Sequence, residues 1–382
     1  MDLIYLDNNA TTQPAPEVAA AMWPFLTEQY GNPSSIHRLG QQSRAAVDEA
    51  RTQVARLVGS SPNEIYFTGG GTEAINTAIV GLLKNRRPRR RIVTSSVEHS
   101  ATRELCQALS KEGAEIVEIP VDRQGSLDLA VLEQSLNEQT ALAAFMWANN
   151  ETGVIFPIQR ISQLCKAKQI PLHCDATQAV GKFPVEVKQI GADAMSFAAH
   201  KFHGPKGVGA LYARRGLRLP ALIVGGPQEV GRRGGTENVP GIVGMGVAAE
   251  LAAARLGEMS RVAELRDRFE HTVLAQIKDT RVLGRTDARL PNTTNIAFAR
   301  LEAEAILLLL SERGICASAG AACSSGSLEP SHVLLSMGIE PAVAHGAVRF
   351  SLSRFTTPDE IDKALEILPA VIERLRQVLP VG

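Results

Sequence analysis

Two segments carry the first chemical signal in this chain. One is His173-Cys-Asp175-Ala-Thr-Gln178, and the other is Ser196-Phe-Ala-Ala-His-Lys201-Phe-His-Gly-Pro-Lys-Gly207. Each follows an apolar run that reads as a strand. A lysine amine near an aldehyde and a carboxylate near a pyridine nitrogen are what pyridoxal phosphate (PLP) requires. The lysine forms a Schiff base, and the carboxylate keeps the ring nitrogen protonated so that the ring can absorb electrons. Lys206 competes with Lys201 for this role but sits in a Gly-Pro-Lys-Gly turn and ranks below it. Far downstream, Cys323 lies in Ala317-Ser-Ala-Gly-Ala-Ala-Cys323-Ser-Ser-Gly326, a stretch with little to pack that is expected to move. Alone, Cys323 reads equally well as an incidental thiol. Beside a PLP lysine it points to sulfur chemistry.

Other residue groups would complete such a site. Gly69-Gly-Gly-Thr72-Glu73 follows a strand and opens a helix, where glycines and free backbone N–H groups suit an anion. No Lys-Ser/Thr follows, so this is not a Walker A loop, and a plain strand–helix connection is the competing reading. His99, in Val97-Glu-His-Ser100, follows a strand and could stack on a planar cofactor or shuttle protons. A lone histidine there is more often structural. Asn150, in Asn149-Asn-Glu-Thr-Gly153, is either a hydrogen-bonding partner of the cofactor or part of a turn. Gly231-Arg-Arg-Gly-Gly-Thr236 is a basic, glycine-flanked loop that could close over a phosphate or be a plain surface loop. Arg349 and Arg354 alternate with apolar residues, and either could clamp a substrate carboxylate.

These residues need a scaffold. Strand and helix patterns alternate along the chain: strands near 64–68, 92–95, 141–148, 171–175, 194–198 and 209–212, with helices near 73–83, 101–112 and 158–168. Such alternation predicts a mostly parallel sheet covered on both faces. Helical patterns over 241–256 and 261–278 lead into a second region with strands near 295–298 and 347–352 and helices near 302–312 and 358–378. In the last helix, Ile361, Leu365, Leu368, Ile372 and Leu375 form an apolar stripe. The expected division is a large domain over 13–256 and a smaller α+β domain formed by 1–12 and 257–382.

Composition narrows the possibilities. Lys+Arg and Asp+Glu each number 40, which argues against nucleic acid or an anionic membrane surface as the main partner. The basic run Lys84–Arg91 reads as a solvated loop. No apolar run approaches the ~20 residues that cross a bilayer, and the N-terminus lacks a basic start and an apolar core, so no signal peptide is expected. Five scattered cysteines form no C-x-x-C pair. They suggest reduced thiols in a cytoplasmic compartment, with no metal, and Cys106, Cys165 and Cys174 as buried hydrophobes.

Together the motifs resemble the NifS/IscS-type cysteine desulfurases, class-V aminotransferases with the PLP-dependent transferase fold type I. The resemblance spans nearly the whole chain. It includes Tyr5-Leu-Asp-Asn-Asn-Ala-Thr-Thr12, Gly31-Asn-Pro-Ser-Ser-Ile-His37, Gly70–Glu73, Glu98-His99, Asn149–Glu151, Asp175–Gln178, His200-Lys201, Arg233–Thr236, Cys323 with Ser327–Pro330, and Arg349–Leu352. It implies that Lys201 carries PLP, Asp175 pairs with the pyridine nitrogen and Gln178 with the ring hydroxyl oxygen. His99 would stack on the ring and move protons. Gly71, Thr72 and His200 would contact the phosphate, with Thr236 reaching the other subunit's cofactor in a homodimer. Asn150 would contact cofactor or substrate, and Arg349, with Arg354 as second choice, would hold the carboxylate of L-cysteine. Cys323 would take the sulfur as a persulfide and pass it to an acceptor such as an iron–sulfur scaffold protein. The family usually has serine three residues before the lysine, donating to the phosphate, whereas this chain has Ala198. Weaker cofactor retention is therefore expected. A selenocysteine lyase, another PLP lyase or aminotransferase, and a non-catalytic scaffold are the competing readings. An aminotransferase has no use for Cys323, and a scaffold has none for an intact Lys201 and Asp175.

Overall fold

The computed structural model describes residues 3–86, 88–320 and 330–378. Cys323 lies outside them. Twelve strands are described: β1 (Ile4–Tyr5), β2 (Ile65–Thr68), β3 (Arg91–Ser95), β4 (Glu115–Ile119), β5 (Thr140–Met146), β6 (Leu172–Asp175), β7 (Ala194–Ala198), β8 (Gly209–Ala213), β9 (Thr280–Val282), β10 (Thr293–Phe298), β11 (Ile315–Cys316) and β12 (Ala347–Ser351).

Seven of them form one sheet in the order β2-β8-β7-β6-β5-β3-β4. Its run from β7 to β4 is parallel, and β8 and β2 pair antiparallel at the other edge. The strand–helix alternation predicts this mixed but mostly parallel α/β sheet. Every residue of β5 is buried, as a central strand covered on both faces requires. Helix α1 (Pro16–Thr27), helix α2 (Arg38–Leu57) and the helix Val239–Ala254 pack together, and their core joins one face of the sheet. The other face is covered by α3 (Gly71–Asn85) and α4 (Ser100–Lys111) through Ala74, Ile75, Ile79, Leu82 and Cys106.

A separate apolar cluster gathers Ile4, Leu6, Phe269, Ile296, Phe350, Ile361 and Leu368. It surrounds the antiparallel sheet β12-β10-β9 and the two-stranded parallel pair β1-β11. The stripe read in Pro358–Val378 faces this cluster, with Leu365 and Leu375 partly buried at its rim. Residues 7–12 run from β1 toward the large sheet. The Asn8 N–H donates to the Ser351 carbonyl at 3.1 Å, and the Thr12 N–H donates to the His200 carbonyl at 2.8 Å.

Two departures from the sequence reading have physical reasons. The strand read over 141–148 ends at Met146, where the chain turns toward Asn149. The helix read from residue 73 begins two residues earlier, at Gly71. That start requires Gly70 at φ +155°, which side-chain-bearing residues rarely adopt, and it requires Gly209 beneath it. A Cβ on Gly209 would lie 2.6 Å from the Gly70 carbonyl carbon.

Candidate active site

Parallel strands deliver their C-terminal ends to one edge of the sheet, where doubly wound folds hold ligands. Here β6 ends at Asp175, and β7 ends at Ala198, one turn before Lys201. β3 runs out toward His99, the N-cap of α4, and β5 toward Asn150. Gly71, Thr72, His99, Asn150, Asp175, Gln178, Ala198, His200, Lys201 and Arg349 all border one cavity of about 740 Å³. Sequence reasoning drew these residues from six separate segments.

Each is held in place. The Lys201 Nζ donates to the carbonyls of Asn9 at 2.6 Å and Ala10 at 2.9 Å. Asp175 is 5% exposed, and its Oδ1 accepts the Thr177 N–H at 2.9 Å. The Gln178 Nε2 donates to the Asn9 carbonyl at 3.0 Å. The His99 Nδ1 accepts the Ala101 N–H at 3.1 Å, which caps α4 and fixes the ring at the cavity wall. Burial, with Lys201 beside it, pushes the His200 imidazole down to about 4, so it stays neutral near pH 7. The Arg349 guanidinium is buried in β12. It pairs with Asp7 Oδ1 at 2.7 Å and donates to the Asn150 and Gly320 carbonyls.

Two other residues named from sequence sit elsewhere. Arg354 lies beyond the end of β12, stacked 5.0 Å from the Phe355 ring, and does not border this cavity. Of the two arginines, only Arg349 borders the cavity. Thr236 is exposed and also outside the cavity. Its neighbour Arg233 is tied to Glu73 in the first turn of α3 at 3.0 Å. The competing amine, Lys206, is exposed and outside the cavity as well. Cys106, Cys165 and Cys174 are buried free thiols.

The anchors were not legible as functional residues. Asp7, which pairs with Arg349, and Asn9, whose carbonyl meets both Lys201 and Gln178, lie in Tyr5–Thr12, which entered the sequence reading only as one motif of the resemblance, with no role for either residue. Thr177 has a buried hydroxyl without a hydrogen-bond partner, and it borders the cavity. A Cβ on Gly71 would lie 3.4 Å from this hydroxyl. Gly70 provides no side-chain cap, so the first N–H groups of α3 need an outside acceptor. An orphan hydroxyl beside an uncapped helix N-terminus fits a phosphate, and Asp175 with Lys201 fits a pyridine aldehyde. The residues present thus suit PLP. Among the described residues, no group of three or more His, Cys, Asp or Glu is placed to hold a metal ion.

Comparison with known proteins agrees with this geometry. The family described as Aminotransferase class-V matches residues 4–364. The chain is similar to "Cysteine desulfurase 2" of Trichormus variabilis, with 52% identity covering 100% of this chain and 96% of that protein. Among solved structures, a "NifS-like protein" superposes with a TM-score of 0.92 at 37% identity, covering 98% of this chain and 100% of that one. "SspA in complex with cysteine" superposes with a TM-score of 0.81 at 32% identity, covering 92% and 99%. With this site on this sheet, and these relatives along its full length, the chain belongs to the class-V aminotransferase family, among its NifS-like cysteine desulfurases.

Proposed function

We propose that this chain is a PLP-dependent cysteine desulfurase that moves sulfur from L-cysteine to Cys323, releasing L-alanine. The observation that carries this reading is the meeting of Lys201, Asp175, Gln178 and His99 in one cavity, beside the uncapped N-terminus of α3. L-Cysteine is the substrate because relatives at about half identity are named cysteine desulfurases and a neighbour of the same fold is described with cysteine bound.

When bound, PLP supplies an electrophilic carbon for the substrate amine and a ring that accepts electron density. The chain's own residues do the rest. Asp175, buried at the end of β6, would hold the proton on the ring nitrogen through a charge-assisted hydrogen bond. The first N–H groups of α3, with Thr72, Thr177 and His200, receive the phosphate. Arg349 binds the substrate carboxylate. Lys201 would take the proton from the substrate Cα, with His99 on the same cavity to move protons. The Cys323 thiolate attacks the substrate sulfur: an S–S bond forms, the Cβ–S bond breaks, and its electron pair stays with carbon. One proton then goes to Cβ, Lys201 returns the proton it took to Cα, and alanine leaves.

Cys323 lies outside the described residues; Gly320, three positions before it in the sequence, is held at its carbonyl by Arg349 at 2.9 Å. The persulfide then passes to an acceptor, for which an iron–sulfur cluster scaffold protein is our proposal. A homodimer is proposed as well. Tyr30, Ile36, Val224 and Val230 are large apolar side chains at the surface, Ile36 as much as 92% exposed, and a second copy would cover them and bring Thr236 to its own cavity. No single described helix is long and apolar enough to cross a membrane. The described cysteines are free thiols, which suits our proposed setting, a reducing cytoplasm.

The test of this reading is borohydride reduction of the PLP-loaded chain followed by peptide mass spectrometry. The expected result is a pyridoxyl group on Lys201. A pyridoxyl group on Lys206, or none, would overturn it.

A further inference from the structure

Lys182 is a buried lysine that the proposed chemistry does not use. It is 5% exposed, below the cavity, and belongs to the turn after β6. Gly181, at φ +79°, makes that turn possible, because a Cβ there would lie 2.6 Å from the Phe202 Cβ. Lys201 and Arg349 lie near its amine and His203 lies close by, so no carboxylate offsets its charge among these neighbours. Burial, joined by Lys201 and Arg349, drives the ammonium well below its ordinary range. Its amine donates to Asn9 Oδ1 at 2.9 Å and to Gln178 Oε1.

We propose that Lys182 is a positioning residue that fixes the side-chain amide of Gln178 so that its nitrogen, not its oxygen, is offered to the cofactor's ring oxygen. The proposal rests on the PLP reading above. Asn9 Oδ1 and Gln178 Oε1 both accept from this amine. A flipped Gln178 amide would leave one buried N–H of Lys182 without an acceptor, and a charged Lys182 would meet donor with donor. With Oε1 held from below, one hydrogen of Nε2 goes to the Asn9 carbonyl at 3.0 Å and the other is left for the cavity. Asn9 is itself tied down, since its Oδ1 also accepts from Asn292 at 3.1 Å. Lys182 therefore sets the polarity of the amide facing the ring through the hydrogen bond it donates.

A donor at the ring oxygen favours the form that carries more negative charge there. Its loss makes the proton between that oxygen and the Lys201 nitrogen harder to remove. The experiment is a pH titration of the bound cofactor's visible absorbance in the wild type, Lys182→Met, Gln178→Leu and the double variant. Each single change is expected to raise the midpoint by about one pH unit. The double variant is expected to titrate where Gln178→Leu does, because one residue acts through the other. A wild-type midpoint in Lys182→Met, or shifts that add in the double variant, would overturn the proposal. If Lys182→Met does not fold, Lys182→Gln in the same two backgrounds makes the same comparison. A wild-type chain that binds PLP without a visible band would fail the functional reading instead.

Discussion

Ala198 sits at the end of β7, and its Cβ lies 3.5 Å from where a side chain on Gly71 would begin. A hydroxyl at this position would face the N-terminus of α3 and donate to a phosphate held there. A hydrogen bond to a charged acceptor is worth on the order of 1.5–3 kcal/mol. Ala198→Ser is therefore expected to tighten PLP binding roughly tenfold or more, measured as the dissociation constant of the reconstituted chain. An unchanged constant would mean that Thr177 and the helix N-terminus already satisfy the phosphate. At this scale the reactive residues were legible because their chemistry is rare: Lys201 and Asp175 stand at strand ends where a charge is costly without a partner. Their supports were not. Asp7, Asn9, Thr177 and Lys182 are ordinary residue types in ordinary turns, and the partners that give three of them a role are distant in the chain: Arg349 for Asp7, Lys182 for Asn9 and Gly71 for Thr177. For Lys182 the neighbour Gln178 is only one helical turn away, but its burial is a tertiary fact.

Glu98 joins elements instead of touching the cavity. It is 2% exposed, and its carboxyl accepts from Ser95 Oγ at 2.6 Å at the end of β3 and from the Met146 N–H at 3.0 Å at the end of β5. It thereby fixes the turn that carries His99. Burial, with Asp175 adding to it, raises its pKa from 4.5 to about 8. Between those values the folded chain holds a proton that the unfolded chain releases. Its contribution to stability is full below pH 4.5 and is lost as pH rises toward 8. In the cofactor-free protein, Glu98→Gln is expected to gain on the wild type as pH rises from 5 to 8, by up to about 1.4 kcal/mol per pH unit. Parallel stability–pH curves from denaturant unfolding would contradict this. The helices and strands that place the site were mostly legible, since β5, β6 and β7 are apolar runs bounded by polar turns. Less legible were α1, α2 and β4. β4 is an edge strand with exposed or half-buried residues at four of five positions, so its pattern carries little signal. α1 contains Pro24, which reads as a break.

For the whole molecule, we propose two domains, 13–256 and 1–12 with 257–382: the cluster around Ile4, Phe269 and Phe350 lies wholly in the second, while the core of the large sheet also takes in Leu283, Val333, Leu334 and Met337 from it. Residues 7–12 join them by hydrogen bonds to both Ser351 and His200. The sequence pattern suggested this crossing but not its consequence, which is that the N-terminal segment forms one wall of the cavity and supplies the carbonyls that hold Lys201. Both ends of the segment carrying Cys323 are anchored at this junction. Arg349 holds the Gly320 carbonyl, and the Ser331 hydroxyl donates to Glu151 Oε2 at 2.5 Å.

The most direct test is to measure sulfide and alanine released from L-cysteine, with PLP and a thiol reductant, by the wild type and by Cys323→Ala. Equal amounts of both products from the wild type are expected. In the variant, the cofactor absorbance should remain while persulfide and most alanine formation disappear. Full turnover in Cys323→Ala would contradict transfer through that thiol and move the activity to a lyase that does not use it.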